Sequence, residues 1–540
     1  MGLKKWWHDK IVYQIYPKSF MDADNDGYGD IKGIISKLDY LKDLGVDILW
    51  LTPYFKSPME DNGYDVADYL EVNEMFGTME DMDTLLAECK KRDMYIMMDI
   101  VANHTSSQHK WFQESRKSKD NPYRDYYIWR DEPLFDRQST FGGSAWEYDE
   151  TTNQYYFHEF AKGQPDLNWQ NPKVLDEIAG CIKYWLDKGV KGIRFDVIQL
   201  IGKEIDNNIT AYGPTLHQKI HELYKKSYGQ YDIVTVGETW GDLEKAIDFT
   251  DPKNEELNMV FNFDCTSSTT HTKYGKFSPK PIDMEFCKRN LIKYQHGLNE
   301  KSWNALVVEN HDLGRAVNKF GDLNYHEKSA KAIPVMNYLL KGTPYVYQGQ
   351  ELGMTNPGFD NIEDYRDVEV FGFYNEYVIK NKVMTYEEFI DGCKKEARDN
   401  NRVPVQWSDE VNAGWNKGAT PWINVNPNYK EINALKEVND PNSIYNFYKK
   451  LFKLRKSEEY SLTFVYGEFK EHLVDIENVF IFSRELEDKK VLVVTNMRGN
   501  VEHINLPFEI TKTLLSNYDK EYKGSDITLE PYEAFVVEIK

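Results

Sequence analysis

The sequence predicts an α/β fold, a (β/α)8 TIM barrel with a subdomain inserted after strand 3 and an antiparallel β domain at the C-terminus. Three observations lead to this prediction. Short apolar runs alternate with amphipathic helical patterns, one long polar and aromatic segment interrupts that alternation, and residues 461–540 change to short alternating strands. A chain of 540 residues is also too long for one ordinary core, so several domains are expected.

The predicted barrel strands are short apolar runs, and most of them end in polar residues. Helical patterns at 32–45, 79–93 and 171–189 lie between them and end near Gly or a charged turn. Strand–helix alternation indicates parallel strands, and eight such strands indicate a closed barrel. The strands are predicted at 11–17, 47–51, 95–104, 192–197, 233–238, 257–263, 305–312 and 343–349.

Two long segments interrupt the barrel pattern. Residues 105–170 are rich in Tyr, Trp, Ser and Gly and are too long for a simple loop, so we interpret them as a subdomain over the barrel mouth. A second excursion covers about 355–430. The predicted domains are therefore a barrel at 1–104 and 171–460, an inserted subdomain at 105–170 and a C-terminal β-sandwich at 461–540.

Composition and charge exclude several classes of function. A formal net charge of −22 disfavours nucleic acid as a partner. Five cysteines without a C-x-x-C motif fit reduced thiols in a cytoplasm. The N-terminus lacks the apolar core of a signal peptide, and no apolar run approaches the ~20 residues that span a bilayer. We therefore expect a cytoplasmic monomer without a membrane partner.

The stretch KGIRFDV places two opposite charges on one strand. Residues i and i+2 of a strand point to the same side, so Arg194 and Asp196 are expected to face the barrel interior together. Burying such a pair costs several kcal/mol per ion. A cost of this size suggests that the pair serves a function. We expect Arg194 to depress the pKa of Asp196 and keep it ionised.

Acidic residues also follow two other predicted strands. Active sites of such barrels lie at the carboxyl ends of the strands, where Asp196, Glu238 and Asp312 are expected to converge. Carboxyl groups in different environments can cleave a glycosidic bond: Asp196 as nucleophile, Glu238 as protonated acid and Asp312 as stabiliser. His104 and His311 are candidate donors to sugar hydroxyls. The alternative is a structural ion pair on the barrel rim.

Four segments carry a resemblance to a known family. DIVANH, GIRFDV, VGET and ENHD resemble the signature segments of the α-amylase family of glycoside hydrolases, family 13. The likeness extends to DNGYD, QPDLNW, YQGQELGM and RDNNRVPVQW, and thus over essentially the whole chain. The most similar group is that of the oligo-1,6-glucosidases and glucan 1,6-α-glucosidases. The resemblance implies the same three catalytic roles.

The resemblance also implies a set of substrate-binding residues. Asp61 with Arg402 would bind the 4-hydroxyl of the terminal glucose and close the pocket, which enforces exo action. Val197, after the nucleophile, is similar to members that prefer α-1,6 linkages. The residues implied for the glucosyl unit are Asp61, Tyr64, His104, Gln164, Arg194, His311, Arg315 and Arg402, and those for the leaving-group side are Trp240, Lys276 and Glu369.

Two positions depart from the family pattern. Relatives commonly have Asn where this chain has Glu309, and Pro where it has Gly314. Both positions are expected near the leaving-group side, so the nature of the acceptor sugar stays open.

The stretch DADNDGYGD offers oxygen ligands at alternate positions. Asp22, Asp24, Asp26 and Asp30, with the carbonyl of Tyr28, could surround a hard cation. An EF-hand needs Glu at position 12, where this chain has Gly33, so a calcium sensor is not expected. The resemblance implies a structural Ca²⁺ and no organic cofactor. The alternative is an Asp-rich solvated turn.

The sequence therefore predicts a retaining, exo-acting α-glucosidase that removes α-1,6-linked glucose from isomaltooligosaccharides. The alternatives are a trehalose-6-phosphate hydrolase, for which Lys203, Lys273 and Lys276 would be the available cations, and an α-glucosidase for α-1,4 bonds or sucrose. A non-catalytic transporter subunit would have a membrane anchor and would lack the carboxylates, neither of which applies here.

Overall fold

The computed structural model describes residues 3–298 and 302–540, and its centre is a closed barrel of eight strands. Every neighbouring pair is parallel, and the first strand also pairs with the eighth. This confirms the predicted fold class. The strands are β1 (Val12–Ile15), β2 (Ile48–Leu51), β3 (Tyr95–Val101), β4 (Gly192–Asp196), β5 (Val234–Gly237), β6 (Met259–Phe261), β7 (Trp303–Val307) and β8 (Thr343–Tyr347).

Helices cover the outside of the barrel and begin where the sequence provides caps. Thr78 and Asp81 form a capping box, and Asn171 caps a helix whose first residue is Pro172. A π-helix spans Tyr374–Lys380. The α-helices are Pro17–Phe20, Ile31–Ser36, Leu38–Leu44, Met79–Lys91, Lys110–Ser115, Pro172–Asp187, Leu216–Lys226, Leu243–Thr250, Asp264–Ser267, Met284–Gly297, Ala316–Lys319, His326–Tyr338, Val368–Phe373, Tyr386–Glu396, Ala434–Asn439, Ile444–Arg455 and Ser461–Tyr466.

Strand β4 shows how the barrel separates apolar from charged side chains. Ile193 and Phe195 pack into the large core between strands and helices. Arg194 and Asp196 alternate with them and face the interior, where Arg194 lies over the ring of Trp50. The lower barrel is filled by apolar side chains such as Met97. The expected burial of a charged pair on one strand is thus what the fold produces.

The segment inserted after β3 contains a small sheet of its own. Trp129–Arg130, Gln154–Phe157 and Trp146–Asp149 form three antiparallel strands in that spatial order. A two-stranded sheet, Phe55–Lys56 with Asp68–Val72, lies in the β2 loop. Both loops therefore add structure at the carboxyl end of the barrel.

The C-terminal part is antiparallel, as the sequence predicts. Five strands, Glu468–His472, Val479–Leu486, Lys489–Asn496, Ala534–Ile539 and Ile510–Ser516, pair in that order. A second sheet joins Glu502–Asn505 to Asp526–Leu529, and both sheets share one apolar core. Among the residues that the structure describes, no helix has the length and apolar character needed to cross a bilayer.

Candidate active site

One cavity of about 410 Å³ lies at the carboxyl ends of the barrel strands. Asp196 at the end of β4, Glu238 after β5 and Asp312 after β7 all line it. Strand β7 ends at Val307, so the acidic run at 309–312 lies in the following loop rather than on the strand. The cavity has the size of a small-ligand site and holds the three carboxyl groups together.

The guanidinium of Arg194 connects the carboxyl groups on one wall. Its Nη1 donates to Asp99 and to Asp196, each at 2.7 Å, and its Nη2 donates to Glu238. The carboxyl group of Glu238, predicted to be the protonated acid, thus lies against the cation of Arg194. Asp99 is fixed further by Tyr64 at 2.9 Å. One buried cation thus binds three carboxyl groups, of which Asp196 and Glu238 line the cavity.

The protonation of this wall differs from the prediction for Asp196. Burial is the largest influence and, together with the charges of Glu238 and Asp99, raises the pKa of Asp196 well above its usual range; Arg194 opposes this without outweighing it. Arg194 thus acts in the expected direction, but the expectation that it keeps Asp196 ionised with a depressed pKa is wrong.

Asp312 on the opposite wall has a different electrostatic environment. Burial raises the pKa of Asp312, but the hydrogen bond from His311 and the charges of Arg398 and Arg402 hold it well below its usual range. His311 Nε2 lies 3.0 Å from Asp312, while Gln14 donates to His311 Nδ1 at 2.7 Å. This places the imidazole proton on the side of Asp312. The two environments therefore shift the pKa values of Asp196 and Asp312 in opposite directions.

Asp61 and His104 line the part of the cavity predicted to hold the terminal glucose, the glucosyl end, and Gln164 contacts both from behind the wall. Gln164 Nε2 donates to Asp61 Oδ2 at 3.1 Å and lies 3.2 Å from His104 Nε2. Burial lowers the pKa of His104 to about 4, so its imidazole is neutral. Burial raises the pKa of Asp61 to about 7. The ring of Tyr64 stacks on that of His311, with centroids 5.3 Å apart, and completes this end.

The arginine that contacts Asp61 is Arg398, which sequence reasoning missed. Arg398 Nη2 donates to Asp61 Oδ1 at 3.1 Å, and its Nε donates to Asp367 at 2.8 Å. Arg402, expected in this role, instead donates to Asp312 at 2.8 Å and to the carbonyl of His311. The segment RDNNR offered both arginines, and only the tertiary structure distinguishes them.

Arg315 and Glu309 lie outside the cavity wall. Arg315 is fully buried, 3.2 Å from Glu309, and donates to the carbonyl of Gln348 at 2.7 Å. Glu309 also accepts from the backbone of Ala316. The expectation that Glu309 lies near the leaving-group side is therefore wrong, because its carboxylate forms a buried ion pair behind the wall. Gly314 likewise does not line the cavity.

The leaving-group side is more open. Trp240 is 50% exposed and stacks on Phe263, with centroids 4.8 Å apart. Lys276 Nζ donates to Glu369 at 3.0 Å, and both residues line the cavity. Val197 has a φ of 35°, an unfavourable value for a β-branched residue, and its side chain faces the cavity between the two sides.

Several further residues line the cavity without having been selected from the sequence. They come mainly from the inserted segment and from the loop after β6. The sequence feature that they share is the aromatic and polar composition of those segments. This composition does not show which side chains face the cavity. They are Thr140, Phe141, Glu159, Phe160, Gln199, Leu200, Phe263, Ser267, Thr270, Asn310, Leu313, Glu396 and Arg398.

The Asp-rich loop brings three of its predicted ligands together. Carboxylate oxygens of Asp22, Asp24 and Asp30 lie within 4.8 Å of one another. The Asp26 carboxylate instead accepts from the amide of Tyr28 at 2.8 Å. Three converging carboxylates fit a hard cation such as Ca²⁺, whose ligands are oxygens.

A closed parallel barrel with a charged, sugar-sized cavity and three converging carboxyl groups defines a class, the (β/α)8 glycoside hydrolases. Within this class, the chain belongs to the α-amylase family. The family model described as "Alpha amylase, catalytic domain" matches residues 14–464, and that of the "Alpha-amylase SusG C-terminal domain" matches residues 479–536. The protein is therefore a glycoside hydrolase.

Relatives cover the full chain. It is 46% identical to an oligo-1,6-glucosidase of Parageobacillus thermoglucosidasius, over 99% of each protein. It is 44% identical to a glucan 1,6-alpha-glucosidase of Streptococcus pneumoniae, also over 99% of each. Among solved structures, the isomaltulose synthase from Protaminobacter rubrum superposes with a TM-score of 0.96 at 40% identity, with 100% of both chains covered.

Proposed function

We propose that the protein is a retaining exo-α-glucosidase that hydrolyses terminal α-1,6-linked glucose from isomaltooligosaccharides. The observation that carries the proposal is that Asp196 and Glu238 are bonded to one guanidinium, that of Arg194, and line the same cavity as Asp312. Carboxyl groups held by one guanidinium favour the ~5–5.5 Å separation of retaining enzymes over the wider spacing of inverting ones.

The proposed mechanism has two steps. In the reactive form Asp196 is ionised and Glu238 carries the proton: Asp196 attacks the anomeric carbon and forms a glycosyl ester, while Glu238 gives its proton to the departing glycosidic oxygen. Glu238, now ionised, takes a proton from water, whose oxygen attacks the same carbon and releases Asp196. Asp312, held ionised by His311 and Arg402, stabilises the positive charge on the sugar in both transition states.

Exo action follows from the glucosyl end of the cavity. Asp61 accepts from both Gln164 and Arg398 there, and these side chains would block the passage of a second sugar beyond the first. Their donors and acceptors suit the hydroxyls of a terminal glucose. The α-1,6 preference rests on the resemblance at Val197 and on the activities named for the two relatives.

Hydrolysis of a phosphorylated disaccharide is less well supported by the cations of the site. Lys203, one of the available cations, has a side chain that is 2% exposed and lies 2.8 Å from Asp166. Lys276 is paired with Glu369, whose carboxylate would repel a phosphate. Lys273, the third of these cations, is not among the residues that line the cavity.

Initial rates on isomaltose, isomaltotriose, maltose, sucrose, trehalose and trehalose 6-phosphate test the proposal. We expect the two α-1,6-linked sugars to give the highest kcat/KM. NMR of the first product should show the α-anomer of glucose. Preference for trehalose 6-phosphate would overturn the substrate, and β-glucose as first product would overturn the mechanism.

We also propose a structural Ca²⁺ held by Asp22, Asp24 and Asp30, with Asp26 and the carbonyl of Tyr28 as further ligands. Elemental analysis of dialysed protein should find Ca²⁺, and a chelator should lower Tm until Ca²⁺ is restored. Asp24→Asn should weaken that response. Protein that contains no Ca²⁺ and whose Tm ignores the chelator would contradict this site.

We further propose that the protein acts in the cytoplasm as a monomer. Free cysteines at all five positions support a reducing compartment. Size-exclusion chromatography with light scattering tests the oligomeric state, and a dimer mass would contradict it. Fractionation of the producing cells tests the compartment.

A further inference from the structure

One stretch of the inserted subdomain crosses the cavity rim and contacts the barrel excursion on the other side. We call residues 137–143 the strap. Within its own subdomain, the strap is held by Glu159, which accepts from Arg137 at 2.8 and 3.0 Å and from Thr140 at 3.1 Å. Thr140 and Phe141 of the strap line the cavity.

On its other side, the strap contacts the helical segment 368–380. Glu376 accepts from the side chain of Gln138 and from the amide of Gly143 at 3.4 Å. Gly372 lies directly against the strap, because a Cβ placed on it would collide with the carbonyl oxygen of Phe141. A Cβ on Gly142 would in turn lie 3.4 Å from the backbone of Gly372. The two segments thus touch backbone to backbone.

The strap covers Arg398 at the glucosyl end of the cavity. The ring of Phe141 lies 4.6 Å from the guanidinium of Arg398, which contacts Asp61. Phe141 also packs on Phe160, with centroids 5.5 Å apart. If the strap moved outward, Arg398 would lose this cover and the glucosyl end would open sideways to solvent.

We propose that the contact of the strap with Gly372 and Glu376 is a specificity determinant that restricts the cavity to the end of a glucan chain. This inference rests on the proposed exo-α-glucosidase function. Gly372 provides the close approach, and Glu376 fixes the strap from a half-buried position without touching the cavity. Neither residue contacts the reacting atoms, so both act on which substrate enters rather than on bond cleavage.

Two substrates test the proposal: isomaltotriose, and isomaltotriose whose non-reducing end is blocked by 4,6-O-benzylidene. The unmodified enzyme should cleave only the first. Gly372→Ala must push the strap outward, so KM for isomaltotriose should rise by about tenfold with little change in kcat, and cleavage of the blocked sugar should appear. Glu376→Ala should produce the same changes to a smaller extent.

Matched controls separate the strap from general effects of substitution. Gly180 is also a helical glycine, but a Cβ on it meets nothing within 4 Å, so Gly180→Ala should behave like the unmodified enzyme. If Gly372→Ala lowers Tm strongly, Glu376→Ala decides, because Glu376 lies at the surface and its loss leaves the core intact.

The outcomes distinguish this proposal from the proposed function. Failure of the unmodified enzyme to cleave isomaltotriose refutes the function itself. If it cleaves isomaltotriose but both variants keep its KM and ignore the blocked sugar, the strap is not the determinant. A fall in kcat at unchanged KM would also overturn the proposal, because the contact would then serve chemistry.

Discussion

The glucosyl end and the leaving-group side of the cavity are built in opposite ways. At the glucosyl end, Asp61, Arg398 and Arg402 are 4%, 6% and 1% exposed. Arg398 forms ion pairs with Asp61 and Asp367, and Arg402 forms one with Asp312. On the leaving-group side, Trp240 is 50% exposed and the Lys276 side chain 22%. The terminal glucose would thus be bound by buried charged groups that are paired with one another. The leaving group, which can vary, would contact an exposed aromatic ring and a long side chain.

The largest effect is expected at the boundary between these regions, where the bond is cleaved. Asp196→Asn removes the nucleophile but keeps the shape of its side chain, so kcat should fall by at least ~10³-fold. Because Arg194 still has Asp99 and Glu238 as partners, Tm should change little. Steady-state rates on isomaltose measure the loss. A variant with more than about a tenth of the original kcat would mean that another group is the nucleophile.

At the glucosyl end, even a conservative substitution should strongly reduce activity. Arg398→Lys keeps the charge but cannot contact Asp61 and Asp367 at once, so kcat/KM on isomaltose should fall by about 10²-fold. Arg315→Lys is the matched change at a buried arginine outside the cavity, and it should alter Tm rather than KM. If the two changes raised KM equally, the proposal that Arg398 binds substrate and Arg315 does not would be wrong.

Local patterns in the sequence were sufficient for the barrel but not for the orientation of the site. Alternation in β4 fixed the direction of Arg194 and Asp196, because strand geometry is local. Arg398 and Arg402 are four residues apart around a short 3₁₀ turn, so which one meets Asp61 depends on distant packing. The pKa of Asp196 could not be predicted either, because burial outweighs the neighbouring cation.

The dependence of Tm on pH tests whether burial at the glucosyl end raises the pKa of Asp61. In the folded protein the pKa of Asp61 is about 7, above the unfolded value near 4. The folded state therefore holds a proton that the unfolded chain releases, and stability falls as pH rises from about 4 to 7. Asp61→Asn removes this dependence, so Tm of the unmodified protein should fall relative to the variant across that range.

The opposite trend would contradict that reading. If the unmodified protein gained Tm relative to Asp61→Asn as pH rises from about 4 to 7, the ion pair with Arg398 would dominate over burial and the pKa would lie below its usual value. Asn62→Ala, next to Asp61 but without a titrating group, controls for local packing. Its Tm difference from the unmodified protein should not vary with pH.

The smallest effect is expected on the open side. Lys276→Ala should lower kcat/KM on isomaltose by about fivefold, because one exposed contact to the second sugar is lost while the reacting groups stay in place. An aryl α-glucoside has no second sugar, so its kcat/KM should stay unchanged. Equal losses on both substrates would show that Lys276 acts through Glu369 and Arg398 on the glucosyl end, which lie within 3.5 Å of each other. The two sides of the cavity would then be one electrostatic unit.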